Sequence, residues 1–184
     1  MKSVLEQTTL AKRAFASLLA APNEARAKGT LEAADRIASA SSSVIAKNEI
    51  DLRNAEDNKL SPALLDRLRL TEERIEAMLE GMREIATIKD PLTEVIEQRT
   101  LRSTLQLQKI RVPIGVIGII YESRPNVTCD AASLCLRAGN AVILRGGSEA
   151  RASNEILTAL MQEGLANVGL DPACVQLIDD QSRE

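Results

Sequence analysis

The sequence predicts an α/β protein in which N-terminal helices precede a β-hairpin and the first three strands of a parallel, Rossmann-like sheet. Three observations carry this reading. The 184 residues change character near Asp90-Pro91: before it Ala, Leu, Glu, Lys and Arg recur with helical spacing, and after it come β-branched runs. Those later runs alternate with helical stretches as strand, helix, strand, helix, strand, the unit of a doubly wound sheet with right-handed crossovers. The first of the runs also has strand length and β-branched content.

In the first part, Leu5, Thr8, Thr9, Lys12, Phe15, Ala16 and Leu19 follow a helical spacing that is apolar only in part. Ala20-Ala21-Pro22-Asn23 breaks it, with Asn23 placed to cap a second helix whose stripe is Ala27, Leu31, Ala34, Ile37 and Ala38. Ser41-Ser42-Ser43 marks a junction before Val44, Ile45, Ile50 and Leu52. Ser61-Pro62 opens a short helix as cap and first helical residue, where the missing proline N–H costs nothing. Thr71 opens another, with Glu72 and Glu73 favoured by the helix dipole and Ile75, Met78, Leu79, Met82 and Ile85 as its buried stripe.

Beyond Pro91, the stretches 94–100 and 105–111 read as a hairpin around Arg102-Ser103-Thr104, a turn without the usual Gly or Asn. Ile114 to Ile120 reads as a strand buried on both faces. A helix from about Val127 to Ala138 follows, ended by Gly139 as a left-handed cap, then a second strand from Ala141 to Leu144. Gly146-Gly147 makes a tight loop, with Ser148 as cap of a helix running to about Asn167. Gly169 ends that helix, Asp171-Pro172 turns the chain, and Val175 to Ile178 is a third strand. Three parallel strands leave a long apolar edge, so the sheet is expected to be incomplete.

Composition narrows the function. With 23 basic and 26 acidic residues and only Phe15 and Tyr121 as aromatics, neither nucleic acid nor an anionic membrane is the expected partner. The absence of His removes His-dependent triads and His-containing zinc sites, and no metal is expected. Cys129, Cys135 and Cys174 form no CxxC pair and read as reduced thiols of a cytoplasmic protein; packing is the reading for Cys135. Cys129, in the first turn of a helix, would be acidified by the dipole, but it has no base nearby in sequence, and filling helix–strand packing is the simpler role. The start of the chain is not a secretory signal, and Val112 to Ile120 is about half the ~20 residues a membrane helix needs.

Parallel sheets bind ligands at the carboxyl ends of their strands, and two stretches leave those ends. In Tyr121-Glu122-Ser123-Arg124-Pro125-Asn126, Arg124 offers a fork of donors to phosphate or carboxylate. Asn126 either caps the helix or donates to an oxygen gathering negative charge, and Arg124 either binds a ligand or pairs with a surface acid. In Arg145-Gly146-Gly147-Ser148-Glu149, paired glycines before a helix let backbone N–H groups approach an anion, unless this is an ordinary βα turn. Gly115 and Gly118 lie within a strand and are not a phosphate fingerprint.

The run Val112-Pro-Ile-Gly-Val-Ile-Gly-Ile-Ile-Tyr-Glu-Ser-Arg-Pro-Asn-Val-Thr128, with Asp130-Ala-Ala-Ser-Leu-Cys-Leu136, Gly139-Asn-Ala-Val-Ile-Leu-Arg-Gly-Gly-Ser-Glu-Ala150 and Leu60-Ser-Pro-Ala-Leu-Leu-Asp-Arg-Leu68, closely resembles the gamma-glutamyl phosphate reductases (glutamate-5-semialdehyde dehydrogenases) of the aldehyde dehydrogenase superfamily. The resemblance covers essentially the whole chain. It implies an aldehyde dehydrogenase-like fold and NADPH-dependent reduction of gamma-glutamyl phosphate to glutamate-5-semialdehyde and phosphate, in proline biosynthesis, through a cysteine thioester. It implies that Asn126 is the catalytic oxyanion donor and that Arg145, with Gly146, Gly147, Ser148 and Glu149, binds the cofactor; either Ser148 or Glu149 takes the ribose-contacting place. Arg124 is the candidate for the substrate. None of the three cysteines lies in a motif matching the family nucleophile. The implied organisation is a helical part of the cofactor domain over 1–92, an oligomerisation hairpin over 93–112 and the first half of the dinucleotide-binding sheet over 113–184. The catalytic domain lies outside the chain, a homo-oligomer is expected of the full-length protein, and the 184 residues alone are expected to be inactive. The alternative is a non-catalytic nucleotide-binding or assembly module built on the same half-fold.

Overall fold

A computed structural model describes residues 3–92 and 94–178, so Thr93, where the implied hairpin unit begins, and 179–184, the end of the implied sheet unit, lie outside the described residues. The first part is helical: α1 (Val4–Ala20), α2 (Asn23–Ser39), α3 (Ser41–Asp57), α4 (Pro62–Leu68) and α5 (Glu72–Thr87). An antiparallel ribbon follows, β1 (Val95–Thr100) and β2 (Gln106–Ile110). The chain then runs β3 (Val116–Ile120), α6 (Asn126–Arg137), β4 (Ala141–Arg145), α7 (Arg151–Asn167) and β5 (Val175–Leu177). These three strands form a parallel sheet in the order β3-β4-β5, in agreement with the expected fold class.

Local signals place most element ends. Ser61 caps α4 by accepting from the Leu64 amide, with Pro62 at the first position. Thr71 caps α5 in the same way through the Arg74 amide. Gly139 and Gly169 end α6 and α7 at φ 72° and 78°, the left-handed region where glycine is strain-free. Asn23 is a correction: the cap of α2 is Pro22, and Asn23 is already helical, its side-chain oxygen accepting from Arg137 at 2.7 Å.

The helix faces also differ from expectation. α1 buries Gln7, Ala11, Ala14 and Leu18, while Leu5 and Leu19 face out. α2 buries Gly29, Thr30, Ala33, Ala34 and Ile37, leaving Leu31 and Ala38 exposed. α1 packs on β4, and for α2 the reason is the approach of α7: a β-carbon on Gly164 would lie 2.4 Å from the Ala33 amide nitrogen. Where backbones come that close, small residues face inward and larger ones are turned away.

The strand buried on both faces is β4, not β3. Val142 and Leu144 point into the main core with Leu136, Leu157 and Met161, and Ala141 and Ile143 pack with Ala11 on the opposite side. β3 is an edge strand, with Ile120 at its end 77% exposed and Ile114, two residues before its start, 84% exposed. Every residue of the β1–β2 ribbon is exposed, and its turn holds Thr104 at φ 68°, the conformation for which glycine was missing.

Candidate functional site

β3 and β4 end side by side, and Tyr121 extends their ladder by one bond, its amide donating to the Arg145 carbonyl at 3.0 Å. The chain leaving β3 turns at Ser123, held at φ 43°. Its amide and its hydroxyl both donate to Glu149 Oε1, at 2.7 and 2.6 Å. Burial alone would raise the Glu149 carboxyl, but the hydrogen bonds from Ser123 and from the backbone outweigh it and hold its pKa below the ordinary 4.5. Glu149 therefore ties the loop after β4 to the loop after β3.

A second tie runs beneath the first. Thr128 donates to Asn154 Oδ1 at 3.0 Å, which leaves its oxygen to accept from the Tyr121 hydroxyl at 2.7 Å. Burial pushes the Tyr121 pKa up to about 12 against the opposing effect of that bond, so the hydroxyl is a positioning donor and not an acid–base group at neutral pH.

The glycines of the β4 loop take on a specific role. A β-carbon at Gly146 would lie 2.1 Å from the Asn154 amide nitrogen, and one at Gly147 would lie 2.2 Å from the Glu149 carboxylate. Both positions are left small for the protein's own side chains. Ser148 is a correction: it begins a short 3-10 turn, Ser148–Ala150, and α7 starts only at Arg151 with no side-chain cap of its own. The opening amides of α7 are held instead by the buried Asp51 of α3, which accepts from Ala152 N at 3.0 Å, Ser153 N at 2.8 Å and Ser153 Oγ at 2.7 Å. A carboxylate there satisfies orphan donors and complements the dipole, and its distance along the chain hid it from a local reading.

Asn126 is not a cap either. The cap position of α6 is Pro125, and Asn126 Nδ2 donates to Asp130 Oδ2, one turn along, at 3.0 Å. An amide nitrogen carries two N–H groups, so the second remains for a ligand. Asp130, which the sequence reading missed, is half-buried, and burial raises its pKa against the opposing hydrogen bond from Asn126. Its spacing of four from Asn126 was the available signal.

Two clefts open at these strand ends. A cleft of about 980 Å³ is lined by Arg145, Gly146, Gly147, Ser148 and Glu149 on one side and by the end of α3 and the start of α4 on the other. A second, of about 400 Å³, holds Arg124, Asn126 and Asp130 against residues 66–70 and the start of α5. The expected cofactor residues thus share one cleft, Arg124 and Asn126 share its neighbour, and the Ser123–Glu149 bond joins the loops between them. The first has the size and polar lining of a nucleotide site, and Arg145 and Ser148 supply donors suited to ribose or phosphate oxygens.

No cysteine in this chain has the character of a nucleophile. Cys129 is fully buried, and burial, with Asp130 adding to it, drives its thiol far above 9.0; burial lifts Cys135 to about 11 and Cys174 to about 12. The dipole that would acidify Cys129 is outweighed by loss of solvent. Among the described residues, no group of three or more Cys, Asp or Glu could hold a metal ion, and no helix is long and apolar enough to cross a membrane.

No family model matches the chain. It is 44% identical over 183 residues to a curated protein of Syntrophomonas wolfei named gamma-glutamyl phosphate reductase, a match spanning 100% of this chain and 44% of that protein. The crystal structure of gamma-glutamyl phosphate reductase from Thermotoga maritima matches with a TM-score of 0.95 at 33% identity, over 99% of this chain and 44% of that one. A NAD-dependent benzaldehyde dehydrogenase from Corynebacterium glutamicum, at 16% identity and a TM-score of 0.70 over 100% of this chain and 38% of its own, shares the fold alone. Over its whole length the chain is thus homologous to part of the gamma-glutamyl phosphate reductases, and it spans less than half the length of the relatives it matches.

Proposed function

We propose that this chain is part of a cytoplasmic, homo-oligomeric reductase that converts gamma-glutamyl phosphate to glutamate-5-semialdehyde and phosphate, at the expense of NADPH, in proline biosynthesis. The observation that carries the reading is identity spread over the whole chain, 44% to one such reductase, together with a cleft beside Arg145–Glu149 that fits a nucleotide. We assign residues 1–92 and 113–184 to the cofactor domain and the ribbon within 93–112, exposed on every strand residue, to contacts between subunits.

NADPH supplies a hydride when bound. Arg145 and Ser148 hold its adenosine ribose and 2′-phosphate, an arginine fork and a hydroxyl being suited to a phosphate. Gly146 and Gly147 keep the loop close to the strand end, and Glu149 fixes that loop to Ser123 rather than turning to the ribose. Asn126 donates its second N–H to the substrate carbonyl oxygen as charge develops there. The thiolate that attacks the acyl carbon, releasing phosphate and forming a thioester, belongs to a part of the protein outside these residues, since the three thiols here are buried.

The test is a chimera in which this chain replaces the matched 44% of the Syntrophomonas wolfei reductase. We expect phosphate-dependent oxidation of glutamate-5-semialdehyde with NADP. Arg145→Ala should raise KM for NADP about tenfold, the effect of one charged contact, with a smaller change for NAD. A folded chimera that binds NADPH without turnover is the result a non-catalytic module gives, and it would overturn the reading.

A further inference from the structure

The cleft beside Asn126 carries more positive charge than its ion pairs account for. Four guanidinium groups line it, from Arg67, Arg69, Arg74 and Arg124, against the two carboxylates of Asp66 and Asp130. Arg74 is committed: it pairs with Asp66 Oδ1 at 2.8 Å and also donates to the backbone carbonyls of Asp66 and Arg69. Asp130 is engaged by Asn126. Arg67, Arg69 and Arg124 make no ion pair or side-chain hydrogen bond among the described residues.

The two arginines before α5 are presented on a fixed backbone. Leu68 and Leu70 are buried, so the alternation of the chain turns Arg69 outward between them. The buried Asn48 clamps this stretch, donating to the Leu68 carbonyl and accepting from the Leu70 amide, both at 2.8 Å. Arg74 fastens the end of α4 from the other side. Arg124 comes from the β3–α6 loop, pinned by Ser123 and Glu149. Three guanidinium groups from two anchored segments thus border a cleft whose remaining wall includes Leu70, Ala77, Met78 and the Asn126 amide.

From this we infer that Arg67, Arg69 and Arg124 form an oxyanion-binding subsite that grips an anionic end of a small acyl substrate while Asn126 addresses its reacting carbonyl. Naming that substrate gamma-glutamyl phosphate rests on the proposed function; the subsite itself rests on the cleft. Two groups of that substrate share the required chemistry, the carboxylate remote from the reacting carbon and the acyl phosphate, and either matches the arginine fork.

Two measurements test this. The first titrates the 184-residue chain with L-glutamate and with inorganic phosphate, followed by NMR shifts at residues 66–70 and 124–130. At least one anion should shift these signals, and the pair Arg67→Gln and Arg69→Gln, both exposed and neutral to packing, should weaken it about tenfold. No shift, or equal affinity in a variant that keeps its circular dichroism spectrum, overturns the subsite. The second uses the chimera in the oxidative direction, where glutamate-5-semialdehyde and phosphate are separate substrates. A raised KM for the aldehyde assigns the carboxylate, a raised KM for phosphate assigns the phosphoryl group, and KM for NADP stays unchanged. An active chimera in which neither KM moves overturns the subsite. An inactive chimera whose component chain still loses anion affinity in the variant overturns the proposed function and leaves the subsite standing.

Discussion

Glu149 shows how one residue acquires a role that its neighbours in sequence do not reveal. It lies in a loop expected to face a cofactor, yet its Oε1 receives both donors of Ser123, which is itself held at φ 43°. A non-glycine residue in that region costs about 1–2 kcal/mol, so the two bonds also stabilise a turn the chain would otherwise avoid. Because the folded-state pKa of Glu149 lies below its ordinary 4.5, the charged form is preferred in the folded protein. Its contribution to stability is therefore present above pH 4.5 and is lost as the pH falls through the lower folded value. Glu149→Gln should accordingly lower the denaturation midpoint at pH 7, with the gap from the unsubstituted chain narrowing steadily below pH 4.5. A gap independent of pH would show that the carboxylate charge is not what holds Ser123.

At the scale of elements, α2 and α7 pack backbone against backbone at Ala33 and Gly164. An alanine methyl at Gly164 would lie 2.4 and 2.5 Å from the Ala33 nitrogen and α-carbon, which are backbone atoms and cannot swing aside. Helix propensity alone favours Gly164→Ala by about 1 kcal/mol. Overpacking against backbone costs about 1–3 kcal/mol or more, and since the helices must separate the clash prevails. We predict a net loss of about 1–2 kcal/mol, read as a lower midpoint in urea. A stabilised variant would mean that the helices part at little cost. The same pair explains what the sequence could and could not disclose. Ser61, Thr71, Gly139 and Gly169 announce element ends because a cap or a left-handed turn is decided within four residues. Ala34 and Ile37 of the expected α2 stripe are buried, but Ala33 takes the place of Leu31 because the α7 backbone that selects a small residue there is more than a hundred positions away. Equally, both stretches were legible as leaving strand ends, whereas their division between two clefts depends on α3, α4 and α5.

Across the whole molecule, those two clefts hang on one buried polar chain. Asn48 holds Leu68, Leu70 and Ser153; Asp51, a turn further along α3, holds the start of α7; and Asn154 on α7 reaches Thr128 of α6 and packs against Gly146. Each member is a side chain on one helix satisfying groups on another, which makes the arrangement cooperative and sensitive to a single deletion. Asn48→Ala removes three hydrogen bonds and strands the buried Leu70 N–H and Leu68 carbonyl, a loss of about 2–4 kcal/mol. For a chain of this size that corresponds to a fall in Tm of about 4–16 °C. A purely structural deletion would stop there. Because Asn48 clamps the backbone carrying Arg67 and Arg69, anion affinity at the second cleft should also fall, at a temperature where the variant is still folded, while NADPH affinity at the first changes less. Asn48→Asp separates the two duties of the side chain. It keeps an acceptor for Leu70 N but sets a carboxylate against the Leu68 carbonyl, so it should rescue neither stability nor anion binding; full rescue would show that the bond to Leu68 is dispensable.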